Sequence, residues 1–163
     1  MKKVIIFIFI LLNLYSQKLN AQNRNSVWVF GDSTGIDFSN LATPQLINSS
    51  IDTRGSCVSI ADTNGNLLYY AETNGSMSSN STQLYNGSHQ KIQNGDSILG
   101  QLWYHELITI PMPGNDSLYY LFSIGVSSVY GLKYSIINMK ANGGLGAVIQ
   151  KTFHSNHSPW WIV

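Results

Sequence analysis

The residue best suited to do chemistry is Ser33, which follows Phe30-Gly31-Asp32 at the end of an apolar run. A serine attacks an ester carbonyl only when a histidine takes its proton, a carboxylate holds that histidine, and donors face the developing oxyanion. Gly31-Asp32-Ser33 has a plainer use as a turn leaving a strand, because Asp and Ser side chains bond nearby backbone amides. His105 and Glu106 could act as an acid-base pair only if their side chains converge, and neighbours along a strand point to opposite faces. His154 and His157 have a spacing open to a metal, yet a third ligand and a carrying helix are lacking.

Asp62-Thr63-Asn64-Gly65-Asn66 alternates oxygen-bearing side chains as a calcium loop does, but it lacks the distal glutamate and a strand follows directly. Cys57 is the single cysteine, so no internal disulfide can form, and its strand-like flanks make it a small buried hydrophobe. Flat rings that could stack on a sugar or peptide stand at Trp103-Tyr104 and Trp160-Trp161, although packing between sheets would use the same rings. These four aromatics are the candidate binding residues. The sequence supplies no catalytic set, no metal set and no cofactor motif.

The first element is an export signal. Met1-Lys2-Lys3 is positive, Val4 to Leu14 is an apolar run of eleven broken only by Asn13, and Leu19-Asn20-Ala21 brings a small residue before Gln22. This order predicts secretion with cleavage after Ala21. Eleven residues of helix reach only about 16 Å, roughly half of a hydrocarbon core, so a membrane span is not expected.

Removing residues 1–21 from the 163 leaves 142, with six basic residues against eight acidic ones. Such a chain has no field to attract phosphate backbones or anionic lipid, which argues against nucleic-acid and membrane-surface roles. Only 10% of the residues are charged, while Gly, Ser, Asn and Tyr abound, a composition for short strands and many turns.

Val27-Trp28-Val29-Phe30 reads as a strand. Cys57-Val58-Ser59-Ile60 and Leu67-Leu68-Tyr69-Tyr70-Ala71 flank Asn64-Gly65, a pair that tolerates positive φ, and so predict an antiparallel hairpin; Gln83-Leu84-Tyr85-Asn86-Gly87 adds a strand. The plan recurs in Leu107-Ile108-Thr109-Ile110, a turn at Pro113-Gly114-Asn115-Asp116, Leu118-Tyr119-Tyr120-Leu121-Phe122, and Gly131 to Ile137. Ile60 and Ile110, Leu67 and Leu118, and Tyr85 and Tyr134 are offset by 50, 51 and 49, the period of longer propeller blades.

The expected fold is therefore all-β: a partial β-propeller of about two four-stranded antiparallel blades, residues 50–100 and 101–150, with a third beginning in 151–163, all within a 22–163 domain. Ile162 stands 52 residues after Ile110, and a last strand without a partner would leave an apolar edge, which predicts that the natural chain continues into further blades. About three repeats are needed for a stable stack.

Two resemblances follow from these residues. Phe30-Gly31-Asp32-Ser33 is similar to the nucleophile block of the GDSL, or SGNH, esterases, whose base sits in an Asp-x-x-His pair and whose oxyanion donor comes from Gly-x-Asn-Asp. Here the positions three before the histidines hold Asn86, Leu102, Lys151 and His154, Gly114-Asn115-Asp116 lacks the intervening residue, and helical periodicity is nearly absent. The ordered series Trp28-Val29-Phe30-Gly31, Gly35-Ile36-Asp37-Phe38-Ser39, Asp62 to Tyr70, Ile110-Pro111-Met112-Pro113, Leu118 to Phe122, Tyr134 to Met139 and Gly143 to Val148 covers nearly all of the mature chain. It resembles the N-terminal propeller-type region of large secreted Bacteroidetes surface proteins. That resemblance implies further blades, PKD modules and a type IX secretion sorting domain in the whole protein, and no catalytic residues.

The expected function is a non-catalytic extracellular or cell-surface interaction module, completed by its C-terminal blades and presenting loops to a carbohydrate or protein. The alternatives are an esterase using Ser33 and a structural or vestigial fragment without ligand.

Overall fold

Two consecutive left-handed residues turn the chain after its first strand. Asp32 and Ser33 lie at φ 58° and 59° and return β1 (Val27–Phe30) into β2 (Thr34–Asp37), which pairs in turn with β3 (Gln45–Asn48). Gly35 sits where a Cβ would come within 2.7 Å of the Trp28 carbonyl oxygen and 2.9 Å of the Ile47 side chain, so this strand needs a glycine there. The computed structural model describes residues 22–52, 55–74, 80–103, 105–125 and 130–152. The expected signal segment 1–21 and nearly all of the expected unit 151–163 lie outside them.

The middle sheet is the meander β4 (Cys57–Ala61), β5 (Leu67–Thr73) and β6 (Thr82–Asn86). Its hairpin is closed by Asp62, whose Oδ1 accepts the amides of Asn64 at 2.8 Å and Asn66 at 2.9 Å. Gly65 takes φ 95° and the ladder shifts between Ile60 and Ala61, so the turn carries one left-handed residue and not the two that Asn64-Gly65 could supply.

The C-terminal sheet is β7 (Leu107–Pro111), β8 (Leu118–Ile124), β9 (Leu132–Asn138) and β10 (Ala147–Lys151), an antiparallel meander of four. The chain is thus all-β, three open antiparallel sheets in sequence order.

The middle and C-terminal sheets share one register. Val58 pairs with Ala71 and Ala71 with Leu84; Ile108 pairs with Phe122 and Phe122 with Tyr134. Ile60 pairs with Tyr69, and Ile110 with Tyr120. Each residue of the second set follows its counterpart by 50 or 51 positions, so the two sheets present equivalent positions on equivalent faces.

Period-two alternation then fixes the stacking. Val27 and Val29 point forward onto the back face of the middle sheet, where Ser59 Oγ donates to the Val27 carbonyl at 2.7 Å and Cys57 Sγ to the Val29 carbonyl at 3.2 Å. Ile60, Tyr69, Ala71 and Leu84 point forward onto the back face of the C-terminal sheet, meeting Leu107, Tyr119, Leu121 and Ile137 in the larger core. Burying a Leu, Ile or aromatic side chain contributes about 1.5–3 kcal/mol, which makes this interface the main source of stability.

A 3₁₀ turn at Gln22–Asn25 straps the sheets together at one end. Asn23 Nδ2 donates to the Thr63 carbonyl at 2.9 Å, and the Arg24 guanidinium to the Tyr119 hydroxyl at 3.3 Å.

The repeat count differs from the sequence expectation. A three-stranded sheet precedes residue 50, formed by the expected strand Val27–Phe30 with Thr-Gly-Ile-Asp and Gln-Leu-Ile-Asn segments too short and polar to register as periodic. The 50–100 unit has three ladder strands, and residues 91–98 run beside β6 through isolated bridges, Tyr85 to Lys91 and Thr82 to Ile98, and through backbone bonds of Leu84 to Ile92 and Gly95. Positive φ at His89, Asn94 and Ser97 breaks that would-be fourth strand. The 101–150 unit does have four strands, the last extending to Lys151.

Candidate functional site

Ser33 sits in the β1–β2 turn, exposed, with its amide donating to the Ile51 carbonyl at 2.7 Å and its Oγ to the same oxygen at 3.3 Å. Its own carbonyl accepts the Ser49 amide at 3.0 Å, so the residue fastens the turn to the chain leaving β3. His89 Nδ1 bonds the Tyr70 hydroxyl at 3.1 Å, and that hydroxyl accepts the Ser50 amide at 2.9 Å. The imidazole is therefore engaged with Tyr70. Asn115 Oδ1 accepts the amides of Ser117 at 2.9 Å and Leu118 at 3.0 Å, which makes Gly114-Asn115-Asp116 a hairpin cap.

His105 and Glu106 diverge. His105 is exposed at φ 60°, whereas Glu106 is buried with Oε2 accepting the Gln101 amide at 2.9 Å. His154 and His157 lie outside the described residues, and among the described residues no group of three metal-ligating side chains converges.

Asp62 is engaged inside its own loop, since Oδ2 also accepts from the Asn66 side chain at 3.0 Å. Burial alone would raise its carboxyl, but the bonds from Asn66, Asn64 and Gly65 outweigh that and hold it below the ordinary carboxylate value. An oxygen set so occupied is a turn device and not a cation cradle.

Cys57 is half-buried between the N-terminal and middle sheets. Burial first, and the Glu72 charge second, push its thiol up, which keeps it protonated and poorly nucleophilic. Tyr85, two strands away on β6, is pushed up to about 12 by burial and then by Glu72.

Of the four aromatics singled out for ligand stacking, Trp103 is half-exposed at 50%, and Tyr104, Trp160 and Trp161 lie outside the described residues. The structure places other rings on open surfaces. Trp28 and Phe30 are 50% and 40% exposed on the back face of the N-terminal sheet, and Trp28 meets Phe38 edge-on at 5.2 Å. On the forward face of the C-terminal sheet Tyr120, Phe122 and Tyr134 cluster with centroids 5.7–6.3 Å apart, flanked by Ile108 and Ile110. The alternation in Val27 to Phe30 and Leu118 to Phe122 is the sequence signal that sets these rings on one side of their strands.

Among the described residues, these two apolar sheet faces lie at opposite ends of the stack. No protein-family model matches the chain, and no curated protein or solved structure matches it.

Proposed function

We propose that this chain is a secreted, non-catalytic interaction module, part of a β-propeller whose further blades cover its end faces and whose loops meet a carbohydrate or protein at the cell surface. The observation that carries the reading is the shared register of the middle and C-terminal sheets at an offset of 50–51, with the N-terminal and middle sheets each packing one face on the next sheet. Propellers are built by such radial repetition of four-stranded sheets. The charged n-region, apolar run and small residue at Ala21 support export, and the near-neutral mature chain supports a partner other than nucleic acid.

The test is to secrete the protein, present it to glycan and protein arrays, and assay ester hydrolysis in parallel with Ser33→Ala. Binding weakened by Trp103→Ala, with no serine-dependent turnover, is the expected result. Ester cleavage abolished by Ser33→Ala would replace this reading with a hydrolase.

A further inference from the structure

An asparagine followed by glycine can react with its own backbone, because glycine puts no Cβ in the path of the attacking nitrogen and lets the peptide turn. Five such pairs stand in the chain, at Asn64, Asn74, Asn86, Asn94 and Asn142. Asn74-Gly75 extends beyond the described residues, and the fold separates the other four.

Three of the four glycine amides are committed to carbonyls. Gly65 N donates to Asp62 at 3.1 Å, Gly87 N to Leu68 at 2.9 Å and Gly95 N to Ile92 at 2.8 Å. Asn86, itself buried, also gives Nδ2 to the Leu145 carbonyl at 3.2 Å and takes the amides of Ser88 and Gln90 on Oδ1 at 3.0 Å. Asn94 gives Nδ2 to the Val148 carbonyl at 3.4 Å. The Asn64 pair is fixed through its glycine, which is buried in the β4–β5 hairpin with its carbonyl accepting Ser26 Oγ at 3.0 Å.

Asn142-Gly143 is held at neither place. It opens the turn Asn142–Gly144 between β9 and β10, with both residues exposed and left-handed, at φ 51° and 66°. Among the described residues neither the Asn142 side chain nor the Gly143 amide has a hydrogen-bond partner, and the peptide between them makes one bond, from Leu145 N to the Asn142 carbonyl at 3.2 Å. A Cβ built on Gly143 or Gly144 meets nothing within 4 Å, so nothing crowds the rotation that brings Cγ to the nitrogen.

We propose that Asn142 is a site of spontaneous covalent modification, converting to aspartate and isoaspartate through a succinimide while the chain stays folded. Water or hydroxide takes the Gly143 amide proton, and the nitrogen bonds to Asn142 Cγ. The Cγ–Nδ2 bond then breaks, and ammonia leaves with a proton from solvent. Water opens the ring at either carbonyl, so the sum is an amide and a water giving a carboxylate and an ammonium ion, with no oxidant or reductant. The product carries a new negative charge, and the isoaspartate form lengthens the main chain of the turn by a carbon. That turn bears Leu145, whose carbonyl receives Asn86 Nδ2 from β6, so the change falls on a tie between the middle and C-terminal sheets.

Incubating the purified chain in mildly alkaline buffer, folded and in urea, followed by peptide mapping, tests this. The mass difference between acid and amide marks each converted asparagine, and electron-transfer fragmentation separates isoaspartate from aspartate. In the folded chain conversion at Asn142 should outrun that at Asn64, Asn86 and Asn94 by at least about tenfold, because those three wait on local opening. In urea the four rates should converge. Hydroxylamine, which cleaves at a succinimide, should cut the folded chain between Asn142 and Gly143 and spare the other three pairs. Asn142→Gln, whose longer side chain closes the ring slowly, should lose both signals; circular dichroism checks its fold, and the comparison of folded and unfolded natural chain stands without it. Equal rates at the four sites in the folded chain overturn the proposal, as does an Asn142 slower than any of the three, or an ordering that persists unchanged in urea.

Discussion

The hydroxyl of Tyr69 on β5 bonds the hydroxyl of Thr109 on β7, across the boundary between the middle and C-terminal sheets. Thr109 Oγ1 in turn donates to the Tyr120 carbonyl at 3.2 Å, so Tyr69 is the donor of the pair. Tyr69 is fully buried, and that burial holds its hydroxyl well above the ordinary tyrosine range, which keeps it protonated and able to donate. Tyr69→Phe leaves the edge-on contact with the Tyr119 ring at 5.7 Å and the Thr109 bond to Tyr120 in place. We expect a loss of about 1 kcal/mol in urea unfolding, and a double-mutant cycle with Thr109→Val that recovers most of it as coupling. Additive single losses would show that the two hydroxyls act independently.

Leu121 and Phe122 are neighbours with opposite fates. Leu121 is fully buried in the larger core, while Phe122 lies on the open forward face. Leu121→Ala should cost about 2–5 kcal/mol, enough to unfold a marginal chain, whereas Phe122→Ala should cost well under half as much. Melting temperatures of the two variants decide this, and equal losses would mean that the forward face is covered in solution.

Asp62 ties stability to acid. Its carboxyl is held below the ordinary value in the folded chain, so its contribution is present above the unfolded pKa of about 3.9 and is lost as the pH falls through the lower, folded value. Asp62→Asn removes that dependence. Between neutral pH and about pH 3 the natural chain should lose more stability than the variant, by a small amount because the side chain is largely solvated. Parallel urea titrations at the two pH values check the sign.

The Cys57 thiol should be slow. Burial and the Glu72 charge raise its pKa, so its thiolate fraction at pH 8 is smaller than that of an unfolded cysteine. Alkylation by iodoacetamide is expected to run several-fold faster in denaturant than in native buffer, and equal rates would place the thiol in solvent.

Much of this fold was legible because residues 57–137 carry two reinforcing signals, period-two alternation and an offset near 50. The hairpins around Gly65 and Asn115 were readable from turn chemistry alone. The N-terminal sheet was not, since Gln45–Asn48 is polar or exposed at three of its four positions and leans on Ile47 for its one inward contact. The open faces were hidden for a different reason. Tyr69-Tyr70 and Tyr119-Tyr120 are tandem pairs of one residue type, and only the stacking order tells that Tyr119 is enclosed while Tyr120 faces outward. Of the ligand-stacking candidates, the described residues place Trp103 alone.

The shared register has a genetic consequence. Because equivalent positions of the middle and C-terminal sheets recur every 50 or 51 residues, duplication or deletion of one whole unit preserves the inward and outward parity of the rest, so such a chain can change length in steps of a sheet. A one-residue insertion in β8 does the reverse: past the insertion every side chain changes sides, and a single added codon ahead of Tyr119 would send Leu121 into water and drive Phe122 into the buried place of Ser123, opposite Leu107.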